Sequence, residues 1–325
     1  MLHYIKCLLA YLLFDGTPPL IVHCPTPSAH PAVMLTRAGS GAGRDIALSL
    51  GKQGYTVIAG IRNQKEGEDL EMLFQEALLN EPNLIGKAGR ILPVMVDLSA
   101  PSTIVETRNV IVNHLKEMEL PLVALINNTG LNICLPNELA SQAYVKHALE
   151  VRLFGVVKLT QALVPSLRES QGRIINIGSI TQWMLYRDSG NHGPTKKTVD
   201  LISEVWQHEL RQVGVVSCMV EPGVYRSAIH DPSQKIVTED FVDLAETIFT
   251  DQLNDALLKY YIDGLDEMST RIEHLARVAP TSEQVIHALV HGLTSRWPKN
   301  VYTVGWDAHI QKLIKLIIGR KRSVP

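Results

Sequence analysis

The sequence predicts an α/β protein built on a doubly wound parallel sheet of about seven strands, with helices on both faces. From residue 32 onward, short runs rich in Val, Ile and Leu alternate with segments of helical period, which is typical of consecutive βαβ units. Most of these runs are unbroken and rich in Val, Ile and Leu, as expected for strands that are buried on both faces. Short right-handed crossovers would bring all of these strands into one sheet.

Seven short segments are the predicted strands, and five longer segments are the predicted helices. The strands cover residues 32–35, 55–61, 91–96, 123–127, 173–177, 215–221 and 301–304. The helices cover residues 42–53, 65–79, 101–118, 142–169 and 194–213. Residues 224–298 have helical period but no convincing strand, so we expect a helical insertion beside the carboxyl ends of the strands, where such sheets bind ligands. The predicted domain therefore covers residues 32–306.

The N-terminal segment is predicted to lie outside this domain. Residues 2–14 are apolar except for His3 and Lys6, and a proline-rich linker continues to residue 31. As a helix, the apolar run would be about 20 Å long, which is short of the roughly 30 Å of a bilayer core. Residues 1–31 are interpreted as an interfacial or signal-like anchor with its linker, or as a helix docked on the protein itself. An anchor would hold the protein at the cytoplasmic side of a membrane.

Residues 307–325 have the pattern of an amphipathic helix followed by a basic tail. The apolar residues of one helical stripe are Ile310, Leu313, Ile314, Ile317 and Ile318. The basic residues outside that stripe are Lys312, Lys315, Arg320, Lys321 and Arg322. Such a helix covers an edge of the sheet, joins two copies of the chain or contacts an anionic membrane, and the pattern leaves these three alternatives open.

The composition is that of an ordinary globular protein and excludes several classes of function. The chain has 31 basic and 33 acidic residues in a length of 325, so its net charge is only −2 and no basic stripe indicates a nucleic-acid partner. An apolar content of 46% excludes intrinsic disorder. No CxxC pair suggests a disulfide framework or a metal site, because the cysteines are scattered at Cys7, Cys24, Cys134 and Cys218.

A glycine-rich turn follows the first predicted strand and precedes the first predicted helix. It reads Thr36-Arg37-Ala38-Gly39-Ser40-Gly41-Ala42-Gly43. Its three glycines allow backbone N–H groups to approach a pyrophosphate, which then lies at the positive end of the helix. At this position in a βαβ unit, the turn predicts a dinucleotide-binding site that includes Gly39, Gly41 and Gly43.

Further polar residues follow the later strands, at what would be the same edge of the sheet. Asp97 follows the third strand, Asn127-Asn128-Thr129-Gly130 closes the fourth, Ser179 follows the fifth, and Glu221-Pro222-Gly223 closes the sixth. Lys196 stands 17 residues after Ser179, at the head of a predicted helix. Because ligands bind at the carboxyl ends of parallel strands, these residues predict one binding site.

Taken together, these motifs resemble the short-chain dehydrogenase/reductase family over about residues 32–306. The family pattern TGxxxGxG is matched by Thr36, Gly41 and Gly43, the pattern NNAG is matched by residues 127–130, and a serine, a lysine and a Pro-Gly pair follow in order. Residues 157–165 and 298–308 are similar to the branch of retinol, hydroxysteroid and 3-hydroxybutyrate dehydrogenases. The resemblance implies a Rossmann-type fold, a homo-oligomer and an NAD(P)-dependent oxidoreductase. Its substrate would carry a hydroxyl or carbonyl group on an apolar, steroid-, retinoid- or lipid-like molecule.

The resemblance also implies a role for each matching residue. Asp97 would hold the adenine amino group, and Asn127 would brace the central strand. Ser179 would bond the substrate oxygen, and Lys196 would bind the nicotinamide ribose while lowering the pKa of the family's catalytic tyrosine. The Pro-Gly pair would complete the cofactor site with Pro222 and Gly223.

Three positions depart from the family pattern. His192 stands where the catalytic tyrosine is expected, four residues before Lys196, and Tyr186 has the wrong spacing to replace that tyrosine. Arg152 stands where the family has a supporting asparagine. Arg37 replaces the first glycine of the cofactor turn, where a side chain restricts both the backbone and the space.

A histidine in place of the tyrosine changes the acid–base chemistry. The ordinary pKa of histidine is about 6.5, and a neighbouring Lys196 cation would lower it, so we expect His192 to be neutral at about pH 7. Neutral imidazole is a base but a very poor acid, which favours alcohol oxidation at raised pH over carbonyl reduction. The catalytic candidates are Ser179, His192 and Lys196. The alternative is a catalytically inactive homologue that binds a cofactor or acts as a scaffold.

The end of the second strand bears on the choice of cofactor. Residues 59–63 contain no acid for a ribose 2′-hydroxyl, and Arg62 resembles the pattern for a 2′-phosphate, so we expect NADP rather than NAD. Arg37 either adds a second phosphate contact or occludes the pocket, and the sequence leaves both open. Occlusion would leave a membrane-peripheral interaction protein without a cofactor.

Overall fold

Seven parallel strands form one sheet in the computed structural model. The structure describes residues 30–129, 137–138, 140–182, 190, 192–225, 281–318 and isolated positions between 259 and 279. The strands are β1 (Ala32–Leu35), β2 (Thr56–Ile61), β3 (Arg90–Met95), β4 (Leu122–Asn127), β5 (Arg173–Ile177), β6 (Val216–Pro222) and β7 (Val301–Val304). Their order across the sheet is β3-β2-β1-β4-β5-β6-β7, and every neighbouring pair is parallel. The predicted doubly wound sheet is confirmed.

Eight α-helices are described with both of their ends. They are α1 (Gly41–Lys52), α2 (Gln64–Asn80), α3 (Pro101–Glu117), α4 (Gln142–Leu149), α5 (Gly155–Glu169), α6 (His192–Arg211), α7 (Glu283–Thr294) and α8 (Trp306–Ile318). The predicted helices agree with these bounds to within two residues, with one exception. The predicted helix 142–169 is two helices joined by a turn of π-helix, Glu150–Phe154, which the helical period of the sequence did not indicate.

Each face of the sheet packs against its own group of helices. Along β1, Val33 and Leu35 belong to one core and Ala32 and Met34 belong to the other, and all four are fully buried. The first core includes apolar residues of α1, α2 and α7, and the second includes those of α3, α5 and α6. Side chains alternate between the two faces of a strand, which explains why one uninterrupted apolar run serves both cores.

The chain reverses its direction across the sheet between β1 and β4. It moves outward from β1 to β2 and β3, and then returns to the other side of β1. In doubly wound sheets the ligand crevice lies at the carboxyl ends of the strands where this reversal occurs. Those ends are Leu35, which leads into the glycine-rich turn, and Asn127, which leads into Asn128 and Thr129.

A chain of buried hydrogen bonds ties the central strands to two helices. Asn127 Nδ2 donates to Asn176 Oδ1 at 2.8 Å and to Thr160 Oγ1 at 3.2 Å. Asn176 Nδ2 in turn donates to Ser203 Oγ at 2.7 Å. Buried polar groups are costly to leave unpaired, so this chain holds α5 and α6 in a defined position against β4 and β5. The role that the resemblance implies for Asn127 stays a prediction.

Helix α8 covers the carboxyl edge of the sheet near β6 and β7. Lys312 Nζ lies 3.0 Å from Oε2 of Glu221, whose carboxylate is fully buried. Asp307 Oδ2 accepts a hydrogen bond from the backbone N–H of Val224 at 2.7 Å. Polar contacts therefore attach the helix to the sheet edge, whereas two residues of its apolar stripe face outward, with Leu313 55% and Ile317 73% exposed.

Several predicted features lie outside the described residues. They are the apolar run 2–14 with its linker, Gly130, Tyr186, three of the cysteines and most of the insertion 224–298. The described part of that insertion contains α7. None of the helices that the structure describes is both long enough and apolar enough to cross a bilayer. The division into residues 1–31, 32–306 and 307–325 stays a prediction.

Candidate active site

The glycine-rich turn keeps a backbone shape that fits a phosphate group, although Arg37 replaces a glycine. Arg37 has a φ of +52° and Gly41 a φ of +53°, both in the left-handed region. A Cβ at Gly43 would collide with the Arg37 carbonyl and would lie 2.7 Å from Asn128 Nδ2. Only glycine fits there, and the first backbone N–H groups of α1 have no partners within the helix. The backbone of the turn therefore fits a dinucleotide pyrophosphate.

Two polar residues fasten this turn to the end of β4. Asn128 N donates to Thr36 Oγ1 at 2.9 Å, and Asn128 Nδ2 donates to the Arg37 carbonyl at 3.3 Å. The sequence alone indicates no separate role for Asn128. The only signal for this role in the sequence is that Asn128 is the second residue of an Asn-Asn pair. The contact itself joins residues about 90 positions apart, so no local pattern indicates it.

The guanidinium of Arg37 lies within electrostatic reach of both ends of the crevice. Burial lowers its pKa most, the positive charge of Arg62 lowers it further, Glu66 raises it, and Arg152 lowers it again. The side chain is therefore influenced both by the loop after β2 and by the turn of π-helix. A bound pyrophosphate would supply the anion that a half-buried cation in this position favours.

The predicted phosphate-binding Arg62 is engaged by an acid that sequence analysis missed. Arg62 donates to Glu66 from its backbone N at 3.0 Å and from its guanidinium at 2.6 and 3.1 Å. The Arg62 side chain is 60% exposed and that of Glu66 only 14%. A Cβ at Gly39 would lie 2.6 Å from Glu66 Cβ, so this carboxylate packs directly on the cofactor turn.

The Glu66 carboxylate remains ionised in this position. Burial raises its pKa, but the hydrogen bonds from Arg62 and the charges of Arg62 and Arg37 lower the pKa more, so the net shift is downward. The sequence does contain a signal for this ion pair, because Arg62 and Glu66 stand four residues apart at the start of α2. Asn63 caps the same helix by accepting a hydrogen bond from Glu66 N at 3.0 Å.

Asp97 lies at the end of the strand region of β3, where the sequence places it. Its Oδ1 accepts hydrogen bonds from Ser99 N at 2.8 Å and from Ser99 Oγ at 2.6 Å. These hydrogen bonds hold the pKa of Asp97 below its ordinary value. The side chain is exposed and ionised, which is compatible with the predicted contact to an adenine amino group.

Lys196 joins the ends of the two central strands. Its Nζ donates to the carbonyl of Thr129, beyond β4, at 2.6 Å and to the carbonyl of Ile177, at the end of β5, at 2.9 Å. Only 6% of the residue is exposed. Burial, followed by the positive charges of Arg152 and Arg37, lowers the pKa of Lys196 to about 7. At neutral pH this lysine is therefore about half neutral amine.

His192 is the first residue of α6 and is neutral. Burial, followed by the charges of Arg152 and Lys196, lowers its pKa to about 3. Its Nδ1 is buried, and no hydrogen-bond partner for that atom lies among the described residues. The pKa of His192 is thus lowered, as expected, and burial is the main cause. With a pKa this low, the imidazole is a weaker base than the sequence alone implied.

Arg152 is brought to the start of α6 by the turn of π-helix. The residue is 1% exposed, and its NH1 donates to Thr195 Oγ1 at 3.0 Å. Thr195 Oγ1 in turn donates to the carbonyl of His192 at 3.0 Å. The sequence marks Arg152 as a departure from a family pattern, but its burial and its hydrogen bond to Thr195 depend on how α5 and α6 pack.

Ser179 follows β5, two residues beyond Ile177, whose carbonyl binds Lys196. Its Oγ accepts a hydrogen bond from Thr181 Oγ1 at 2.9 Å, and Thr181 N lies 3.3 Å from the same oxygen. An oxygen that accepts from Thr181 keeps its own hydrogen for another acceptor. Ser179 and Lys196 are thus both placed at the carboxyl end of β5, as the sequence predicts.

The Pro222-Gly223 pair ends β6 and is held by α8. Gly223 N donates to the Val304 carbonyl at 2.8 Å, and a Cβ at Gly223 would collide with the carboxylate of Asp307. This close approach is a structural reason for glycine at this position, separate from the cofactor role that the resemblance implies.

Comparison with known proteins identifies relatives over most of the chain. The profile of the family described as short chain dehydrogenase matches residues 31–236. Retinol dehydrogenase 5 of Homo sapiens is 26% identical over 287 residues, which are 87% of this chain and 83% of the relative. Estradiol 17-beta-dehydrogenase 2 of Mus musculus is 26% identical over 86% of this chain and 69% of the relative. The mitochondrial D-beta-hydroxybutyrate dehydrogenase of Bos taurus is 27% identical over 85% of this chain and 77% of the relative.

Solved structures share the fold. A short-chain dehydrogenase from Streptomyces avermitilis matches with a TM-score of 0.66 and 20% identity, over 91% of this chain and 95% of that one. L-sorbose reductase from Gluconobacter frateurii, complexed with NADPH and L-sorbose, matches with a TM-score of 0.61 and 18% identity, over 85% of this chain and 95% of that one. Together, the family match and the fold confirm the sequence-based prediction: the chain belongs to the short-chain dehydrogenase family of oxidoreductases.

Proposed function

We propose that this protein is an NAD(P)-dependent oxidoreductase that oxidises a hydroxyl group on an apolar substrate. The observation that carries the proposal is the pairing of an intact backbone cradle at the turn before α1 with Lys196 at the ends of β4 and β5. These are the two places at which a doubly wound sheet holds the ends of a dinucleotide. Retinol and estradiol in the names of two relatives support an apolar substrate.

In this proposal, Ser179, His192 and Lys196 have separate roles in alcohol oxidation. A nicotinamide bound at this site would accept the hydride from the substrate carbon. The Ser179 hydroxyl orients the substrate oxygen. The imidazole of His192 lines the site and carries no charge. The hydroxyl proton passes to the neutral amine of Lys196, whose pKa of about 7 makes it the strongest base of the three near neutral pH. Two N–H groups of that amine remain for the carbonyls of Thr129 and Ile177.

The cofactor in this proposal is NADP rather than NAD. Arg62 and Arg37 supply two guanidinium groups near the end of β2 and the cofactor turn, and Arg is the preferred partner of a phosphate. The L-sorbose reductase structure is a complex with NADPH, which supports the same choice. Glu66 argues against NADP, because its carboxylate already accepts hydrogen bonds from the Arg62 guanidinium and would repel a 2′-phosphate.

A second candidate function is cofactor binding without turnover. It is favoured by His192, which at a pKa of about 3 has no proton to give at neutral pH and accepts one poorly. The loss of a positioned acid or base commonly lowers rates by about 10²- to 10⁴-fold. Turnover of apolar alcohols separates the two candidates, since both of them retain the dinucleotide site.

The first test is a titration of the purified protein with NADPH and with NADH, followed by nicotinamide fluorescence. We expect saturable NADPH binding that becomes at least about 10-fold weaker in Arg62→Ala, with a smaller change for NADH. Lys87→Ala, an exposed cation remote from the crevice in sequence and strand position, is the matched control. Failure of both dinucleotides to bind would overturn the oxidoreductase proposal and favour a protein that has lost its cofactor.

The protein is further proposed to associate with membranes and with copies of itself. The exposed apolar stripe of α8 and the basic residues 320–322 that follow it in the sequence suit an anionic membrane surface. A contact between copies is supported by exposed apolar side chains on the α3 and α6 helices and between α4 and α5, which are Val105, Val110, Phe154, Leu201 and Val205. Membrane association at the cytoplasmic side would follow from the segment 1–31.

A further inference from the structure

A cavity of about 270 Å³ lies between α6, β6 and the start of β7. Its lining residues on α6 begin at Asp200, one helical turn beyond Lys196, and continue along one face of the helix to His208. On β6 and β7 the cavity includes Ser217 and Val301, which stand at the amino ends of their strands. The cavity therefore lies toward the amino edge of the sheet, whereas the candidate active site lies at the carboxyl edge.

The cavity has an exposed entrance and a buried floor. Glu204, His208 and Asn300 line it and are exposed to solvent. Asp200 and Ser217 also line it, but they are only 3% and 1% exposed. A small ligand can therefore enter from solvent between the exposed residues and reach the buried ones.

The floor contains a hydroxyl group without a hydrogen-bond partner. Ser217 Oγ is buried, and no partner for it lies among the described residues. The next side chain, Cys218, faces α7 on the other side of the sheet, because a Cβ at Gly292 would lie 3.4 Å from its Sγ. Side chains alternate along a strand, so Ser217 faces α6 and the cavity. A buried polar group is costly to leave unpaired, and a ligand in the cavity would supply its partner.

The charged side chains that line the cavity are carboxylates, those of Asp200 and Glu204. Asp200 Oδ2 accepts a hydrogen bond from Lys197 Nζ at 2.5 Å, so the helix itself balances that charge. Glu204 has no such partner within the part of the chain that the structure describes. The guanidinium of Arg173, on neighbouring β5, instead donates to the carbonyl of Ser295, which follows α7 on the other face of the sheet. The entrance of the cavity therefore carries an unbalanced negative charge.

We infer that this cavity binds a small primary ammonium ion. The ammonium group has three N–H donors, of which Ser217 Oγ accepts one at the floor. A cavity of this volume is roughly 8 Å across, so the charge of Glu204 attracts the ammonium over its whole depth. Met219 and Val301 supply apolar contacts for a short alkyl chain. The inference goes beyond the proposed function, since no residue of the proposed reaction lines this cavity.

Two observations favour an organic cation over a metal ion. Among the described residues, no group of three His, Cys, Asp or Glu side chains is placed to hold a metal ion. The volume also lies just below the range of about 300–1,000 Å³ that is typical of small-molecule sites, which leaves room for several non-hydrogen atoms.

The test compares n-butylammonium with butan-1-ol, which have alkyl chains of equal length and differ in charge, by isothermal titration calorimetry at low ionic strength. We expect the wild-type protein to bind the amine at least about 5-fold more tightly than the alcohol, and Glu204→Gln to abolish that difference. Glu204 is exposed, so this variant should keep the fold. Glu209→Gln removes the same charge from an exposed position on α6 that does not line the cavity, and it should leave both affinities unchanged.

Two further measurements locate the bound amine. Ser217→Ala should weaken amine binding by about 3-fold or more, because it removes the acceptor at the floor. In NMR spectra, n-butylammonium should shift the ring protons of His208, which lines the cavity, and leave those of His147 on α4 unchanged. Equal binding of amine and alcohol, a preference for the amine that persists in Glu204→Gln, or unchanged amine binding in Ser217→Ala overturns the inference. NADPH binding, measured in parallel, tests the proposed function separately.

Discussion

At the scale of single residues, the site depends on which group holds a proton near neutral pH. Lys196 has a pKa of about 7 and His192 a pKa of about 3, so between pH 7 and 8 the lysine changes charge and the histidine does not. In the family pattern the position of His192 carries a tyrosine. Burial, the largest cause of the pKa shift at this position, would raise the pKa of a phenol, whereas the positive charges of Arg152 and Lys196 would lower it.

His192→Tyr is therefore expected to increase the oxidation rate of apolar alcohols with NADP⁺ by about 100-fold, within the range for one positioned acid–base group. His192→Phe is the matched control, with the same ring size and no ionisable group. A rate equal to that of the phenylalanine variant would contradict the proposed geometry.

Lys196 also predicts how stability depends on pH. Its ordinary pKa of 10.5 is lowered to about 7 in the folded protein, so between these values the unfolded chain binds more protons than the folded one. The free energy of unfolding should then increase with pH, by about 1.4 kcal/mol per unit for one group. Urea titrations between pH 7 and 8.5 avoid the opposing effect of Cys218, whose thiol has its pKa raised from 9.0 to about 12.

The control for this measurement is Lys196→Met, which keeps the buried stem and removes the titrating group. Between pH 7 and 8.5, His192 stays neutral in the folded protein, and Arg152 and Arg37 stay charged. The increase in the free energy of unfolding of the wild type with pH is therefore assigned to Lys196. We expect the variant to lack most of the increase of roughly 2 kcal/mol over 1.5 pH units. An identical slope in both proteins would place the pKa of Lys196 near its ordinary value.

At the scale of elements, the junction of β2 and α2 decides how Arg62 is presented. Asn63 caps α2, and the helix then returns Glu66 to the guanidinium of Arg62 and to the surface of Gly39. An ion pair with one exposed member contributes little to stability. Its larger effect concerns ligands, because in the proposed function this carboxylate lies beside the guanidinium that binds the 2′-phosphate.

Glu66→Gln is expected to lower the Kd for NADPH by about 5- to 10-fold and to change the Kd for NADH much less. The substitution removes a like charge from the phosphate and releases Arg62, an effect of about 1 kcal/mol across solvent. Glu71→Gln, at an exposed position further along α2, is the charge-matched control. Tighter NADH binding with no gain for NADPH would show that Glu66 does not face the 2′ position.

At the scale of the whole molecule, helix α8 exposes Ile310, Leu313, Ile314 and Ile317, while its Asp307 and Lys312 bond to the sheet edge. This is the opposite of the usual amphipathic arrangement, and it gives the protein an apolar stripe near the ligand-binding edge.

Leu313→Ser with Ile317→Ser is expected to weaken binding to vesicles that contain anionic phospholipid by at least about 10-fold, since each buried aliphatic side chain contributes about 1.5–3 kcal/mol. Vesicle flotation measures the bound fraction. Leu79→Ser with Ile85→Ser changes two equally exposed side chains elsewhere and is the control. Unchanged flotation together with a halved mass in solution would assign the stripe to a contact between copies.

The sequence by itself determined the order of the strands in the chain, the place of the cofactor turn and the edge at which the site lies. These follow from local patterns: apolar runs such as 32–35 and 91–96 predict buried strands, and glycines at a strand-to-helix junction predict a phosphate cradle. Parallel strands bring their carboxyl ends to one edge, so Ser179 and Lys196 could be placed there from the pattern alone.

Tertiary structure alone decided which side chains occupy the space between these elements. Glu66 packs on Gly39, Asn128 bonds the Arg37 carbonyl, and Arg152 meets Thr195 through a turn of π-helix. The size of the pKa shifts belongs to the same category, because burial is the largest cause for both His192 and Lys196. Burial and long-range contacts depend on the distances between elements, which local periodicity does not encode.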